Sequence, residues 1–296
     1  MISIIITSYK EPKTIGKAIT SIAQDLPKDY EIIQISPDIE TLEAGKKVAQ
    51  ELKLKGYRQI KDPCKGKPAA LNLAFKEAQG EIIILTDGDV FFGEKSITAI
   101  LEPFKNKNVG GVTGRPISKD SKETMMGYIG NLLSDAAHHK RENTSKENSF
   151  FPMSGYIMAT RNLKMELPED VLSDDAYISY FIAKNNFEIA YAPKAKAFVK
   201  YPKNLKDYYK QKVRSLGGYI QLEKYSIVDK TKKTRTFKDE LSYFWFPFSY
   251  ASNIKEYFWS LMLFPIRFIT WIKIFIERRI LKKDFGKTWT RIESTK

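Results

Sequence analysis

The chain has 296 residues, of which 43% are hydrophobic, and a formal net charge of +14 at pH 7. This length and composition permit one large or two modest globular domains and exclude a disordered chain. The single cysteine, Cys64, excludes an intramolecular disulfide framework and fits a reducing compartment.

The basic charge is concentrated toward one end of the chain. Residues 1–190 contain 25 basic and 26 acidic residues, whereas residues 191–296 contain 24 basic and 9 acidic residues. Such an asymmetry predicts an anionic partner for the second segment, either a nucleic acid or an anionic membrane surface.

Short β-branched runs alternate with helix-period stretches in the first hundred residues. The predicted strands are residues 2–7, 31–35 and 81–86, and the predicted helices are residues 12–24, 42–55 and 68–79. Strand–helix–strand repetition predicts right-handed crossovers and a mainly parallel sheet with helices on both faces. In such sheets ligands bind at the carboxyl ends of the strands.

The middle of the chain has a less regular pattern. The predicted helices are residues 94–104, 122–142, 174–185 and 205–225. The predicted strands are residues 109–113, 149–153, 156–160, 188–191 and 195–200. We therefore predict an α/β domain over residues 1–225, followed by a helical tail over residues 226–296.

The tail is rich in aromatic residues from position 241 onward. Residues 258–276 approach the length of about 20 apolar residues that a membrane-spanning helix needs, but Pro265, Arg267 and Lys273 interrupt them. We therefore predict that residues 241–296 form amphipathic helices that lie in the interface of an anionic membrane. The alternative is a pair of helices that packs on the α/β domain. A nucleic-acid groove is disfavoured, because the aromatic residues form apolar blocks instead of being dispersed among basic ones.

Two carboxylates, Asp87 and Asp89, follow directly after the apolar strand at residues 81–86 and are separated by Gly88. Mg²⁺ and Mn²⁺ prefer oxygen ligands, and in nucleotide chemistry they usually take one or two carboxylates together with substrate phosphates. On its own, this pattern is weak evidence for a metal site, because acidic surface turns are common.

Other motifs follow at regular places along the same segment. They are TSYKEP at 7–12, KGKPAALN at 65–72, SGY at 154–156, LSDD at 172–175 and QKVR at 211–214. Lysine and glycine at the start of a helix suit phosphate binding, because the first backbone N–H groups of a helix attract anions.

In this order and spacing, the motifs resemble the family 2 glycosyltransferases, which are inverting enzymes with the GT-A fold. The similarity is greater to the branch that contains the cellulose, hyaluronan and poly-N-acetylglucosamine synthases. It covers about residues 2–220 and implies a Rossmann-like nucleotide-diphospho-sugar transferase fold. Ser215 departs from the family, which usually has Trp at this position. That change disfavours processive polymer synthesis.

The resemblance implies roles for individual residues. Asp89 and Asp87 would hold a divalent metal, Mn²⁺ or Mg²⁺, and Asp175 would be the general base, supported by Asp174. The residues implied in binding the donor nucleotide are Thr7, Tyr9, Glu11, Asp38, Lys67, Asp87, Gln211 and Arg214.

Structural roles stay open for several of these residues. Tyr9 could be a core residue, and Asp174 and Asp175 could simply open the helix that follows. Gln211 and Arg214 have helical i, i+3 spacing and could form an exposed polar face. For His138–His139 a solvated helix end or an acceptor-site wall is favoured over a metal site.

The resemblance, together with the basic aromatic tail, implies a metal-dependent inverting glycosyltransferase at the cytoplasmic face of the cell membrane. It would transfer one sugar from a nucleotide donor, a UDP-sugar, to a hydroxyl of a lipid-linked or cell-surface glycan, with no nucleic-acid partner. The alternatives are a processive polysaccharide synthase, for which the several expected spanning helices are missing, and a non-catalytic nucleotide-sugar-binding membrane scaffold. A nucleotidyltransferase is disfavoured, because TSYKEP lacks a glycine-rich loop.

Overall fold

A computed structural model describes residues 1–228, 234, 242–277 and 293–295, so much of the basic end of the predicted tail lies outside the described residues. The chain divides into two compact units. Unit 1 comprises Met1–Pro116, Thr144–Glu169 and Asp174–Val199, and unit 2 comprises Ile117–Asn143, Asp170–Ser173 and Lys200–Lys296. Unit 2 takes residues from both sides of position 225, and the division at that position stays a prediction.

Within the described residues, eight strands form one sheet, which belongs to unit 1 apart from the last two residues of β6. The strands are β1 (Ile2–Thr7), β2 (Tyr30–Ser36), β3 (Tyr57–Lys61), β4 (Ile82–Asp87), β5 (Phe91–Phe92), β6 (Val109–Ser118), β7 (Met158–Arg161) and β8 (Glu188–Val199). Their spatial order is β3-β2-β1-β4-β7-β6-β8-β5. β1 pairs in parallel with β2 and β4, and β2 with β3, whereas β4–β7, β6–β7 and β5–β8 are antiparallel.

The helices follow in the same chain order. They are α1 (Ile15–Ala23), α2 (Ile39–Glu51), α3 (Lys67–Glu77), α4 (Ser96–Leu101), α5 (Met125–Lys146), α6 (Asp174–Lys184), α7 (Leu205–Gln221), α8 (Phe246–Tyr250) and α9 (Ile254–Phe275). Short 3₁₀ turns cover Glu102–Lys105, Leu222–Tyr225 and Glu293–Thr295.

The parallel part of the sheet forms where the sequence has uninterrupted isoleucine runs. Ile4, Ile5 and Ile6 on β1 and Ile32 and Ile33 on β2 are fully buried. A strand that is buried on both faces needs apolar side chains at every position, and this is the pattern of parallel sheets covered by helices. The predicted α/β fold is therefore confirmed, with a sheet that is parallel over β1 to β4 and antiparallel in the pairs β4–β7, β6–β7 and β5–β8.

The sequence predictions fail at particular strands. The predictions for β1, β2 and β4 are confirmed within one residue at each end, but β3 and β5 were not predicted. The strand predicted at 149–153 is wrong, because these residues form a loop whose apolar side chains Phe151 and Met153 are buried. The two strands predicted at 188–191 and 195–200 form the single strand β8.

Unit 2 is helical and has its own core, to which α5, α7 and α9 contribute. The buried members are Met126, Tyr128, Ile129, Leu132, Tyr208, Leu263 and Ile266. The segment 170–173 is attached to α7 by Gln221, which donates from Nε2 to the Asp170 carbonyl and accepts at Oε1 from the Leu172 N–H.

Helix α9 has an unusual distribution of polarity. Ser260 and Thr270 on its inward side are 0% exposed, whereas Phe268 and Phe275 on its outward side are 59% and 60% exposed. We call the following exposed residues the outward face: Ile254, Tyr257, Phe258, Leu261, Phe268, Ile269, Ile272 and Phe275. A surface helix ordinarily exposes its polar side. α9 instead exposes this apolar face, and on its inward side it buries two hydroxyl groups beside Leu263, Ile266 and Ile274.

The length and composition of α9 are also notable. Pro265 does not end the helix, which runs through 22 residues. In the described part of the chain it is the one helix that is long and apolar enough to cross a membrane, and 28% of its most apolar stretch is buried.

A buried hydroxyl pair attaches α9 to α5 and generates the first prediction. Ser260 Oγ donates to the Pro247 carbonyl at 2.7 Å, so Tyr128 Oη is the donor in its own 2.7 Å contact with Ser260 Oγ. Ser260→Ala leaves both groups without this partner and should lower the free energy of unfolding by about 1–3 kcal/mol. Thermal denaturation measures the loss.

The exposed Ser252→Ala variant is the matched control and should unfold like the unaltered protein. In the double variant Tyr128→Phe with Ser260→Ala, the loss should be smaller than the sum of the single losses. An unchanged midpoint for Ser260→Ala would contradict the packing of α9 on this site.

Candidate active site

The carboxyl ends of β3, β2, β1 and β4 meet at one edge of the sheet, because these strands run in parallel. Thr7 ends β1 and lies opposite Asp87, the last residue of β4. The chain proceeds from β1 to β2 and β3 on one side and then places β4 on the other side of β1. Open α/β sheets bind ligands at such a reversal of strand order.

The turn after β4 packs tightly against the loop after β1. Thr7 Oγ1 donates to Asp87 Oδ1 at 2.6 Å, and the Gly88 N–H donates to the Thr7 carbonyl at 2.8 Å. A Cβ added at Gly88 would lie 2.6 Å from Glu11 Oε2 and 2.8 Å from Ser8 Cβ. Glycine is therefore required for the two carboxylates of this turn to be held beside the first loop.

Lys67, the first residue of α3, lies between two of the predicted acidic residues. Its Nζ is 2.8 Å from Asp87 Oδ1 and 3.3 Å from Asp174 Oδ2. Burial alone would lower the pKa of this ammonium group, but the carboxylates of Asp174 and Asp87 outweigh burial and raise the pKa. Lys67 therefore stays charged and joins the end of β4 to the start of α6.

Asp175 has different surroundings from its neighbour Asp174. The Gly155 N–H donates to Asp175 Oδ2 at 3.2 Å, and the Ala176 N–H donates to Oδ1 at 2.8 Å. Asp175 is half-buried, and these backbone donors fix the direction of its carboxylate. The Ser-Gly-Tyr motif thus contributes a backbone N–H to the predicted base.

Asp38 has a structural role in addition to its predicted one. It caps α2 by accepting from the Thr41 N–H at 3.0 Å, and its other oxygen accepts from the Lys10 N–H at 2.7 Å and from Ser36 Oγ at 2.9 Å. Burial opposes ionisation, but these hydrogen bonds outweigh it and lower the pKa of Asp38. The cap holds the TSYKEP loop against the end of β2.

Asp62 is a buried carboxyl at the same edge that the sequence analysis missed. It follows β3, is 7% exposed and accepts from the Cys64 N–H at 2.7 Å. Burial raises the pKa of Asp62, and the nearby Asp38 adds to the effect. The available signal was an extended run at residues 57–61 followed directly by Asp62-Pro63, since β2 is likewise followed by a proline and an aspartate, in the reverse order Pro37-Asp38.

The remaining predicted residues are divided between the units. Tyr9 is half-buried and Glu11 is buried in the loop after β1, in unit 1. Gln211 and Arg214 lie on α7 in unit 2, and both are half-buried. The structure therefore brings Thr7, Lys67, Asp87 and Asp174 into direct contact, and it does not test the roles of the others.

The described residues contain no cluster of three or more His, Cys, Asp or Glu side chains that could hold a metal alone. His138 is buried in α5, and the ring of His139 lies against Phe246 at a centroid distance of 5.4 Å. Asp87 and Asp89 supply hard oxygen donors on a tight turn, and these would suit Mg²⁺ or Mn²⁺ with water and substrate phosphates as the other ligands.

Two curated bacterial proteins are related to the chain. The poly-β-1,6-N-acetyl-D-glucosamine synthase of Staphylococcus epidermidis is 24% identical over 241 residues, which cover 78% of this chain and 58% of the relative. The poly(ribitol-phosphate) β-N-acetylglucosaminyltransferase TarS of Staphylococcus aureus strain MW2 is 28% identical over 217 residues, covering 63% of this chain and 36% of TarS. The chain thus spans less than two thirds of the length of either relative.

Two solved structures resemble the fold. The mannosyltransferase PcManGT from Pyrobaculum calidifontis, solved in complex with GDP-Man and Mn²⁺, superposes with a TM-score of 0.63 at 18% identity, covering 99% of this chain and 84% of PcManGT. A mycobacterial protein superposes with a TM-score of 0.52 at 15% identity, and the match covers 78% of this chain and 76% of the mycobacterial chain. These likenesses establish the GT-A architecture.

The family assignment comes from the sequence. The family model described as "Glycosyltransferase like family 2" matches residues 1–218, which include every motif from TSYKEP to QKVR. The chain therefore belongs to glycosyltransferase family 2.

Proposed function

We propose that the protein is an inverting, metal-dependent glycosyltransferase that moves a single sugar from a nucleotide donor to a hydroxyl acceptor. The observation that supports this proposal most strongly is the group of side-chain contacts at the edge of the sheet where the parallel strands end. There the D-G-D turn, the start of α3 and the start of α6 meet through Lys67, Asp87 and Asp174. Family membership supplies the class of reaction, and this geometry supports the assignment of residues to it.

The nucleotide end of the donor would lie along the ends of β1 and β2. Tyr9, Glu11 and Asp38 occupy the loops after these strands, and Asp38 attaches the first loop to the second. Thr7 holds Asp87, and Gln211 and Arg214 on α7 are proposed to contact the diphosphate. A guanidinium group suits this role, because it can donate two parallel hydrogen bonds to a phosphate.

The proton transfer is assigned to Asp175. In the proposed step the acceptor hydroxyl loses its proton to the Asp175 carboxylate while its oxygen attacks the anomeric carbon. The bond from that carbon to the diphosphate oxygen breaks on the opposite side, so the anomeric configuration inverts. Asp174 is a poorer candidate for the base, because its carboxylate lies against Lys67.

A divalent cation held by Asp87 and Asp89 would neutralise the charge that develops on the departing diphosphate. The two N–H donors from Gly155 and Ala176 keep the Asp175 carboxylate in one orientation through the step. Pre-set orientation of this kind lowers the entropic part of the barrier.

The relatives suggest which sugars to test first. Both curated relatives carry N-acetylglucosamine in their names, and the structural neighbour PcManGT was solved with GDP-Man. We propose a UDP-sugar donor, with UDP-N-acetylglucosamine first, and a lipid-linked or cell-surface glycan acceptor at the cytoplasmic face of the membrane. Ser215, in place of the usual Trp, supports single transfer over processive synthesis.

The donor assignment predicts the result of a panel experiment. UDP-N-acetylglucosamine and GDP-mannose, each with and without Mn²⁺, should give metal-dependent binding and release of nucleoside diphosphate for at least one donor. Calorimetry and a diphosphate-release assay measure the two quantities. Binding without any turnover in the presence of membrane acceptors would instead support the non-catalytic scaffold.

The base assignment predicts the behaviour of Asp175→Asn. General acid–base groups contribute roughly 10²- to 10⁴-fold to a rate, so transfer should fall by a factor in this range. The affinity for the donor should change little, because the amide is nearly isosteric with the carboxylate. The control is Glu169→Gln, which makes the same change of carboxylate to amide at an exposed position of the same unit. Substantial turnover by Asp175→Asn would show that another group takes the proton.

The outward face of α9 supports binding to an anionic membrane surface. Two hydrogen bonds attach the inward side of α9 to the rest of unit 2. One joins Ser260 to Tyr128, and the other joins Arg267 Nη1 to Tyr208 Oη at 3.3 Å. Lys255 also lies on this helix, and the sequence after it contains Arg278, Arg279, Lys282 and Lys283. A helix held in this way would lie in the interface, with aromatic side chains inserted and basic ones at the headgroups.

Membrane binding through α9 predicts a loss on polar substitution of the outward face. Burial of one Phe side chain contributes roughly 1.5–3 kcal/mol, so Phe268→Ser with Phe275→Ser should weaken binding to phosphatidylglycerol vesicles by at least about a hundredfold. Vesicle sedimentation measures the effect. Ile39→Ser changes a residue of unit 1 that is also exposed, at 56%, and should bind like the unaltered protein. Equal sedimentation of all three proteins would refute this role of the outward face.

A further inference from the structure

Lys67 has a position that its implied role in binding the donor nucleotide does not require. A lysine whose only role is to bind a phosphate could extend into solvent. The Lys67 side chain is instead only 23% exposed, and its ammonium group contacts Asp87 and Asp174. The contact is made from the first residue of α3 to the last residue of β4 and the first residue of α6. Three elements are therefore joined through one positive charge.

The ammonium group of Lys67 contacts the same carboxylate, that of Asp87, to which a metal would bind. Lys67 Nζ lies 2.8 Å from Asp87 Oδ1, the same oxygen to which Thr7 donates at 2.6 Å. A divalent cation bound to Asp87 would lie within a few ångströms of the ammonium group, where like charges repel strongly. Lys67 and the metal thus compete for Asp87 as long as no further anion is present.

We propose that Lys67 is an internal counter-ion that opposes metal binding at Asp87 until a nucleoside diphosphate arrives. This inference rests on the proposed function, since it takes the diphosphate as the arriving anion. The diphosphate gives the ammonium group another anionic partner at the start of α3, and Asp87 then becomes available to the cation. Metal and nucleotide therefore bind together, and Lys67 positions Asp174 while the site is empty.

The test compares Mn²⁺ binding in the absence and presence of nucleotide. The probes are Mn²⁺ alone, Mn²⁺ with UDP and Mn²⁺ with GDP, with affinities measured by titration calorimetry and by the electron paramagnetic resonance signal of free Mn²⁺. The unaltered protein should bind Mn²⁺ alone weakly and at least tenfold more tightly with the matching nucleotide.

Lys67→Met removes the charge and keeps an unbranched side chain of similar length. It should bind Mn²⁺ alone at least tenfold more tightly than the unaltered protein does and lose most of the enhancement by nucleotide. Lys67→Arg keeps the charge and should bind Mn²⁺ alone as weakly as the unaltered protein. If Lys67→Met binds Mn²⁺ alone no better than the unaltered protein, the counter-ion role is overturned and Lys67 is an ordinary phosphate ligand.

The design also separates this inference from the proposed function. Lys67→Gln replaces Lys67→Met if the latter does not fold, with the same expected direction, because the Gln amide is uncharged. If no nucleotide binds to the unaltered protein, the proposed function fails, while the arm with Mn²⁺ alone still decides whether Lys67 competes with the metal. If nucleotide binds but the two charge-removing variants leave the affinity for Mn²⁺ alone unchanged, only the counter-ion proposal fails.

Discussion

Thr7 and Asp87 lie opposite each other because β1 and β4 pair in parallel along their whole length. The hydroxyl of Thr7 and its carbonyl both bond to the turn after β4, and Gly88 lets that turn approach Ser8 and Glu11. This pairing connects the D-G-D carboxylates with the first loop, and the remaining site residues of unit 1 are arranged around it. A shift of one residue in the register would turn Asp87 to the other face of the sheet.

The elements that could be predicted are those whose signal is local. The isoleucine runs of β1 and β4 are buried on both faces, so their composition alone indicates strands. β3 is different, because its residues Tyr57–Lys61 are mostly half-buried and mixed in polarity. The loop at 149–153 was mistaken for a strand, since apolar residues that pack as an irregular segment have the same composition as a strand. Pairing partners decide these cases, and they lie far away in the sequence.

At the candidate site, too, local sequence signals could be read, whereas contacts between distant residues could not. The resemblance of the motifs to a known family pointed to Asp87, Asp89, Lys67 and Asp175, which lie near the starts and ends of predicted elements, and their roles stay predictions. The partners of these side chains were not predictable, since the contact of Lys67 with Asp174 joins residues more than a hundred positions apart. The cap formed by Asp38 was missed for another reason: α2 begins at Ile39, three residues before the predicted helix. A cap cannot be assigned when the helix start is misplaced.

The polarity of α9 explains why composition alone left its role open. Read as a sequence, Pro265, Arg267 and Lys273 interrupt an apolar stretch and weigh against a helix that crosses a membrane. In the fold, Arg267 bonds to Tyr208 and the ammonium group of Lys273 lies 4.5 Å from the centre of the Tyr209 ring. These basic groups therefore have partners on α7, while the aromatic side chains of the outward face have the exposed positions. Polar groups that are satisfied within unit 2 leave an apolar surface, and that is the arrangement a helix needs to rest on a bilayer while it stays part of the protein.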